Sequence, residues 1–153
     1  MGLFTGLDIS GSALVAERLR MQIYSNNLAN WRTVRENGER LAPYRRRTPI
    51  FATGASEVTG SDQLGVRFVG VLRRDSFIAR PSDDPENDPD AVQVEDLADR
   101  PDLAPYVGHR LYPEVNLAEE MVDMISASRA YEANITAIQL TRSMMQSALQ
   151  VMA

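Results

Sequence analysis

Apolar positions recur at helical spacing at both ends of this 153-residue chain. Near the start, Leu7, Leu14, Met21 and Leu28 stand seven residues apart, which at 100° per residue lays them along one side of a helix. Ile9, Ala16, Leu19 and Ile23 form a second stripe on nearly the opposite side. The last forty residues repeat the arrangement at greater length. Leu117, Met121, Met124, Tyr131, Ile135, Ile138, Met145 and Leu149 follow steps of three and four, interrupted by Ser128 and Arg142. Opposite them run Ala118, Val122, Ile125, Ala133, Ala137, Leu140, Met144, Ala148 and Val151.

Proline placement separates these ends from the rest. All eight prolines lie between Pro43 and Pro113, whereas 12–37 and 114–153 avoid both proline and glycine. A helix interior excludes proline because the ring removes a hydrogen bond and clashes with the preceding turn. The chain therefore divides into an N-terminal helix in 1–32, a loop-rich, β-containing middle in 33–114 and a C-terminal helix in 115–153. The first helix is expected from Thr5, with Asp8 at capping-box spacing and with Gly6 and Gly11 fraying its first turns. Asn116 is the expected N-cap of the last, with Glu119 in its first turn. Uninterrupted from Leu117 to Val151, that helix is about 50 Å long. In the middle, Asn37-Gly38 signals a hairpin turn and 65–72, "GVRFVGVL", reads as a strand. Phe77-Ile78 and 92–94 are weaker strand candidates. The stretch 81–90, "PSDDPENDPD", reads as an exposed loop, and the acidic, proline-rich segment reaches on to about 105.

A helix lying on a globular domain needs one apolar stripe; two opposed stripes require cover on both sides. The middle is too small and irregular to cover two long helices, and the proline pattern denies a third. The terminal helices are thus expected to pair through one stripe each and to leave the others for further molecules. The segment "SNNLAN", residues 25–30, sharpens this expectation, because asparagine is a poor interior helix residue and three occur in six positions. Asn26, Asn27 and Asn30 gather on the flank of the Leu28 stripe, where their amides could cap the helix end or bond to a neighbouring chain.

Composition narrows the chemistry. The net charge is −5, and all sixteen basic residues are arginines, scattered apart from Arg45-Arg46-Arg47, so no nucleic-acid partner is expected. That basic run reads as a solvated loop or strand end. Cysteine is absent, which removes disulfides and thiol chemistry. The acidic loop has calcium's oxygen ligands but lacks the glycine and final glutamate of an EF-hand, and no metal or cofactor is expected. The same carboxylates have no scaffold to raise one pKa, and His109 is the single histidine, so no catalytic residues and no small-molecule substrate are expected. No stretch approaches the ~20 apolar residues of a membrane span. The opening "MGLFTGLDIS" has neither a basic region nor a continuous apolar run, so a cleaved signal peptide is not expected.

Two segments carry a resemblance. "SNNLAN" followed by Thr33 resembles the N-terminal signature of the bacterial flagellar axial proteins, the rod and hook family, and 115–152, with its centre "EMVDMISASRAYEAN", resembles the C-terminal one. The short middle and "GLFTGLDISGSAL" are most similar to the proximal rod branch. The resemblance implies a mainly α fold with a small β-rich middle, its long N- and C-terminal helices paired as an antiparallel coiled coil. It implies a structural subunit of the basal-body proximal rod that self-assembles into a hollow axial tube, transmits torque and conducts exported subunits. Its implied partners are copies of itself, other rod proteins, the base ring and the export apparatus. Its implied place is the flagellar basal body, as part of the rod crossing the periplasm, reached by export without a cleaved signal peptide. Stripe and amide positions together mark the expected assembly residues: Leu7, Leu14, Met21, Asn26, Asn27, Leu28 and Asn30 at one end; Leu117, Met121, Met124, Tyr131, Asn134, Ile135, Ile138, Met145 and Leu149 at the other. Another rod or hook paralogue, or a soluble helical binding module such as an export chaperone or secreted effector, stays open as an alternative.

Overall fold

The computed structural model describes residues 3–54 and 65–152. Helix α1 spans Leu3–Ala29 and α2 spans Leu117–Met152. Between them lie strands β1 (Arg46–Thr53), β2 (Val66–Arg74), β3 (Phe77–Pro81) and β4 (His109–Pro113), with short 3-10 turns at Glu36–Gly38, Val94–Ala98 and Pro101–Tyr106. β1 pairs with β2, and β3 with β4. α1 is helical through Gly6 and Gly11, so the glycines do not delay its start. α2 begins where the N-cap was expected: the Asn116 Oδ1 accepts from the Ala118 N–H at 3.1 Å.

The chain resolves into two compact units. The first is made of the described parts of Met1–Ser25, Thr48–Leu72 and Met121–Ala153. It holds most of both helices, which pack against each other, and the β1–β2 ribbon. Among its described residues the buried side chains are Ala16, Ile23 and Tyr24 of α1 and Ala127 of α2. Ser12 fastens α1 to the ribbon. Its hydroxyl donates to the Ile9 carbonyl at 2.8 Å and accepts from the Val66 N–H at 3.1 Å. Gly65 permits that approach, because a Cβ there would stand 2.6 Å from the Ser12 Oγ.

The second unit comprises Asn26–Arg47 and Arg73–Glu120. Its core is Leu41, Val92, Leu103 and Leu111, flanked by Phe77, Ala79, Leu97 and Tyr106. β3 and β4 are antiparallel with Ala79 opposite Leu111 and Phe77 opposite Pro113. Alternation along β3 therefore sends Phe77 and Ala79 to the core and leaves Ile78 and Arg80 exposed. Phe77 meets Tyr106 edge-on, with ring centroids 5.3 Å apart. On the far side of β4, Val92 donates to the His109 carbonyl and accepts from the Gly108 N–H, both at 2.9 Å.

Three expectations need correction. Asn37-Gly38 does make a tight turn, with φ of +56° and +82°, but it closes the loop from Glu36 to Ala42 instead of joining two strands. The 45–47 run does stand at a strand end, since Arg46 and Arg47 open β1, but these two are half-buried instead of solvated. The acidic segment, finally, is only partly a surface loop. Asp83 to Asn87 are exposed, but Ala91, Val92 and Leu103 are fully buried and supply much of the second core. Asp88 is buried as well, accepting from the Arg110 guanidinium, the Ser82 hydroxyl and the Asp90 N–H. These bonds, Arg110 foremost, hold its carboxyl well below the usual range and engage it fully. Among the described residues, no group of three or more His, Cys, Asp or Glu could hold a metal, and no helix is long and apolar enough to cross a membrane.

Candidate assembly interface

The "SNNLAN" segment ends α1, and each asparagine has its own task. Asn26 is exposed, and its carbonyl accepts from both the backbone N–H and the side-chain amide of Asn30. Asn30 closes the helix: its Oδ1 accepts from the Thr33 hydroxyl at 3.1 Å, and its carbonyl accepts from the Thr33 N–H. Asn27 is fully buried. Its amide donates to the Arg47 carbonyl and to the Glu120 Oε2, both at 2.8 Å. Its carbonyl oxygen accepts from the Tyr44 hydroxyl at 2.9 Å and the Arg47 N–H at 3.0 Å. Two donors and two acceptor sites are thereby filled, which is the whole capacity of the side chain. Asn27 thus works inside the subunit.

Glu120, in the first turn of α2, is the other buried centre of this cluster. Its second oxygen accepts from the Arg46 Nε at 2.6 Å. Tyr44 is buried beside it, and burial raises the phenol pKa, keeping the hydroxyl a donor. Arg47 stacks over the Tyr44 ring at 5.2 Å and pairs with Glu36 at 2.9 Å, while Arg45 pairs with Asp75 at 2.9 Å. Every arginine of the 45–47 run is thus engaged by a carboxylate, which explains the run without an external anion. The end of α1 and the start of α2 are tied through groups that are costly to leave unpaired.

Beyond this tie the helices differ by face. On α2, positions 117, 120, 124, 127, 131, 134, 138, 141 and 145 are all buried or half-buried, in unbroken steps of three and four. Leu117, Met124, Tyr131, Ile138 and Met145 of the expected stripe lie on this seam, as does Asn134, whose amide donates to the Ala130 carbonyl. Ile135 is half-buried at its side. Met121 and Leu149 are exposed. The seam passes through Glu120, Ala127 and Thr141, which a reading for large apolar residues skips. The opposite stripe is open along its whole length: Val122, Ile125, Leu140, Met144 and Val151 are each at least half exposed, and Ala118, Ala133, Ala137 and Ala148 are exposed too. On α1, Leu7, Leu14, Met21 and Leu28 are half-buried, and the deeper positions belong to the other stripe, at Ala16 and Ile23.

α2 thus has one covered and one bare apolar face. Comparison with known proteins identifies the setting. Residues 7–35 match the family described as "Flagella basal body rod protein", and 112–151 match "Flagellar basal body rod FlgEFG protein C-terminal". Over full length, the chain is 38% identical to "Flagellar basal-body rod protein FlgC" of Borreliella burgdorferi, covering 99% of both chains. Identity to the protein of the same name in Bacillus subtilis is also 38%, again over 99% of both. The Salmonella typhimurium protein of that name is 33% identical over 97% of each. With likeness running through helices, ribbon and middle alike, this chain belongs to the flagellar basal-body rod protein family.

Proposed function

We propose that this structural, non-enzymatic rod subunit assembles through its terminal segments, 1–32 and 115–153, into the hollow axial tube of the proximal rod. In this reading the seam between α1 and α2 is an antiparallel coiled coil. The outer stripes pack against neighbouring copies and other rod proteins, and the base ring and export apparatus adjoin the tube. The rod crosses the periplasm, and the chain reaches it by export without a cleaved signal peptide. Staggered apolar contacts along several parallel helices resist torsion, so the same packing that builds the tube transmits torque. Stripe residues from Leu117 to Met145 on the seam hold the pair together, Met121, Leu149 and the outer stripe of α2 meet neighbours, the Leu7 to Leu28 stripe of α1 joins them, and Asn27 sets the subunit's own fold.

One observation supports this most: the second stripe of α2 stays bare over about 40 Å or more of helix. Left uncovered, that much apolar surface favours association. The test replaces Leu140 by Asp in a strain lacking the native chain. Swimming is expected to fail and the variant to be missing from purified basal bodies, while the free protein unfolds at the wild-type temperature. Incorporation at wild-type levels would overturn the assignment.

A further inference from the structure

The helices leave one exposed apolar element unexplained, the β1–β2 ribbon. β2 exposes apolar side chains on both faces, Val69 and Val71 on one, Phe68 and Leu72 on the other, although Phe68 also meets Phe51 edge-on. Edge strands of this length and apolarity are templates for association unless guarded or covered. The strand is also cationic. Arg67, Arg73 and Arg74 are exposed and make no ion pair among the described residues, and β2 contains no acid. The adjacent Asp75 is already held by Arg45.

The opposite charge is concentrated elsewhere on the same chain. In the loop after β3, Asp83, Asp84 and Glu86 are exposed and without an ion pair among the described residues, while Asp88 behind them is fixed by Arg110. Gln93 donates to the Pro85 carbonyl at 2.7 Å and stiffens the loop that presents them. Three cations on an apolar strand and three acids on a braced loop, none of them ion-paired among the described residues, are complementary, and the Asn87 amide donating to Asp84 leaves that acid's charge in place. We infer that β2 of one copy docks on the 83–86 loop of the next copy. A two-fold contact of β2 with itself would bring like charges together, so the pairing is head-to-tail, the kind that propagates along an assembly instead of closing on itself. This inference rests on the rod-subunit reading and adds a contact outside the helices.

The experiment uses three full-length variants expressed in a strain lacking the native chain: R67E/R73E/R74E, D83R/D84R/E86R, and all six changes together. The quantity of each in purified basal bodies is read beside swimming, and thermal unfolding of the free proteins checks folding. Either reversal alone is expected to lower incorporation at least about tenfold, and the combined swap to restore most of it. Should a reversed variant unfold, the neutral sets with Gln for each Arg, or with Asn and Gln for the acids, are expected to give a smaller loss, and added salt is expected to narrow their gap to the wild type because it screens the attraction only the wild type has. Reversed arginines that assemble normally would show them to be edge guards only, and the inference fails. A six-fold swap no better than its parents would mean that the two patches meet different partners, and it also fails. Absence of the wild-type chain from basal bodies would instead overturn the rod reading itself, which separates the two failures.

Discussion

The two units of this subunit have opposite relations to solvent. In the second, Val92, Leu103 and Leu111 form a closed core, and only Ile78, Val94 and Val107 are exposed large hydrophobics among its described residues. Among the described residues of the first, fourteen such residues are exposed, and the buried set is Ala16, Ile23, Tyr24 and Ala127. The same chain therefore contains a part that completes itself and a part that does not. Because hydrophobic stabilisation follows area removed from water, the proposed assembly would add to the stability of the first unit far more than to that of the second. A soluble binding module needs one such face. The stripe along α2 and the bare ribbon make two, which favours a building block.

The largest way to break this contrast is through the closed core. Leu103→Ala is expected to cost the free protein about 3–4 kcal/mol, since the site is sealed and collapses little. Thermal or denaturant unfolding measures it directly. Asn27→Ala comes next, at about 2–3 kcal/mol. It leaves a carboxylate oxygen of Glu120, the Tyr44 hydroxyl and two backbone groups of Arg47 without their partner. A loss below about 0.5 kcal/mol in the same assay would show that the cluster does not tie the helix ends. Either result isolates the second unit, because neither residue belongs to the bare faces.

These sites also show how far the sequence could be read. The helices were legible because exclusion of proline and helical periodicity are local signals, and Asn116 caps α2 where its type and position demanded. β2 was legible from its β-branched and aromatic run. β1 was hidden by Arg46, Arg47 and Pro49, whose partners Glu120 and Glu36 are far off in sequence or masked by a turn. The second core was hidden for a similar reason. Val92 stands in the short run 92–94 that reads as a weak strand candidate and Leu103 among acids and prolines, and the burial of both depends on β4 and on 3-10 turns that have no periodic signature. Glu120 carries no local signal of burial, because its partners Arg46 and Asn27 lie more than seventy residues away. What escaped, in short, was pairing over distance.

Acid offers a smaller and pH-dependent effect. Asp88 has a folded pKa below its unfolded value, so its ionised form stabilises the fold above the ordinary carboxylate pKa of about 4. That contribution is lost as pH falls through the lowered folded value. Asp88→Asn should therefore be less stable than wild type at pH 7, and the gap should close progressively below about pH 4. Measuring unfolding midpoints of both proteins from pH 7 down to about pH 3 tests this. A gap that stays constant over that range would mean the Arg110 contact contributes no net charge stabilisation.

The smallest expected effect on the free protein belongs to the bare stripe, and it sharpens the comparison most. Val122→Ser and Leu140→Ser remove apolar atoms that are already more than half exposed, so each is expected to shift monomer stability by no more than about 0.5 kcal/mol. Both should nevertheless weaken entry into the rod, because the area they lose is area that only a neighbour covers. The two readouts have to diverge: unchanged unfolding midpoint, reduced quantity in purified basal bodies. A midpoint lowered as far as in Leu103→Ala would mean that the stripe is covered within the subunit in solution. The distinction between a closed unit and an open one would then collapse, since stability and assembly would be reading the same surface.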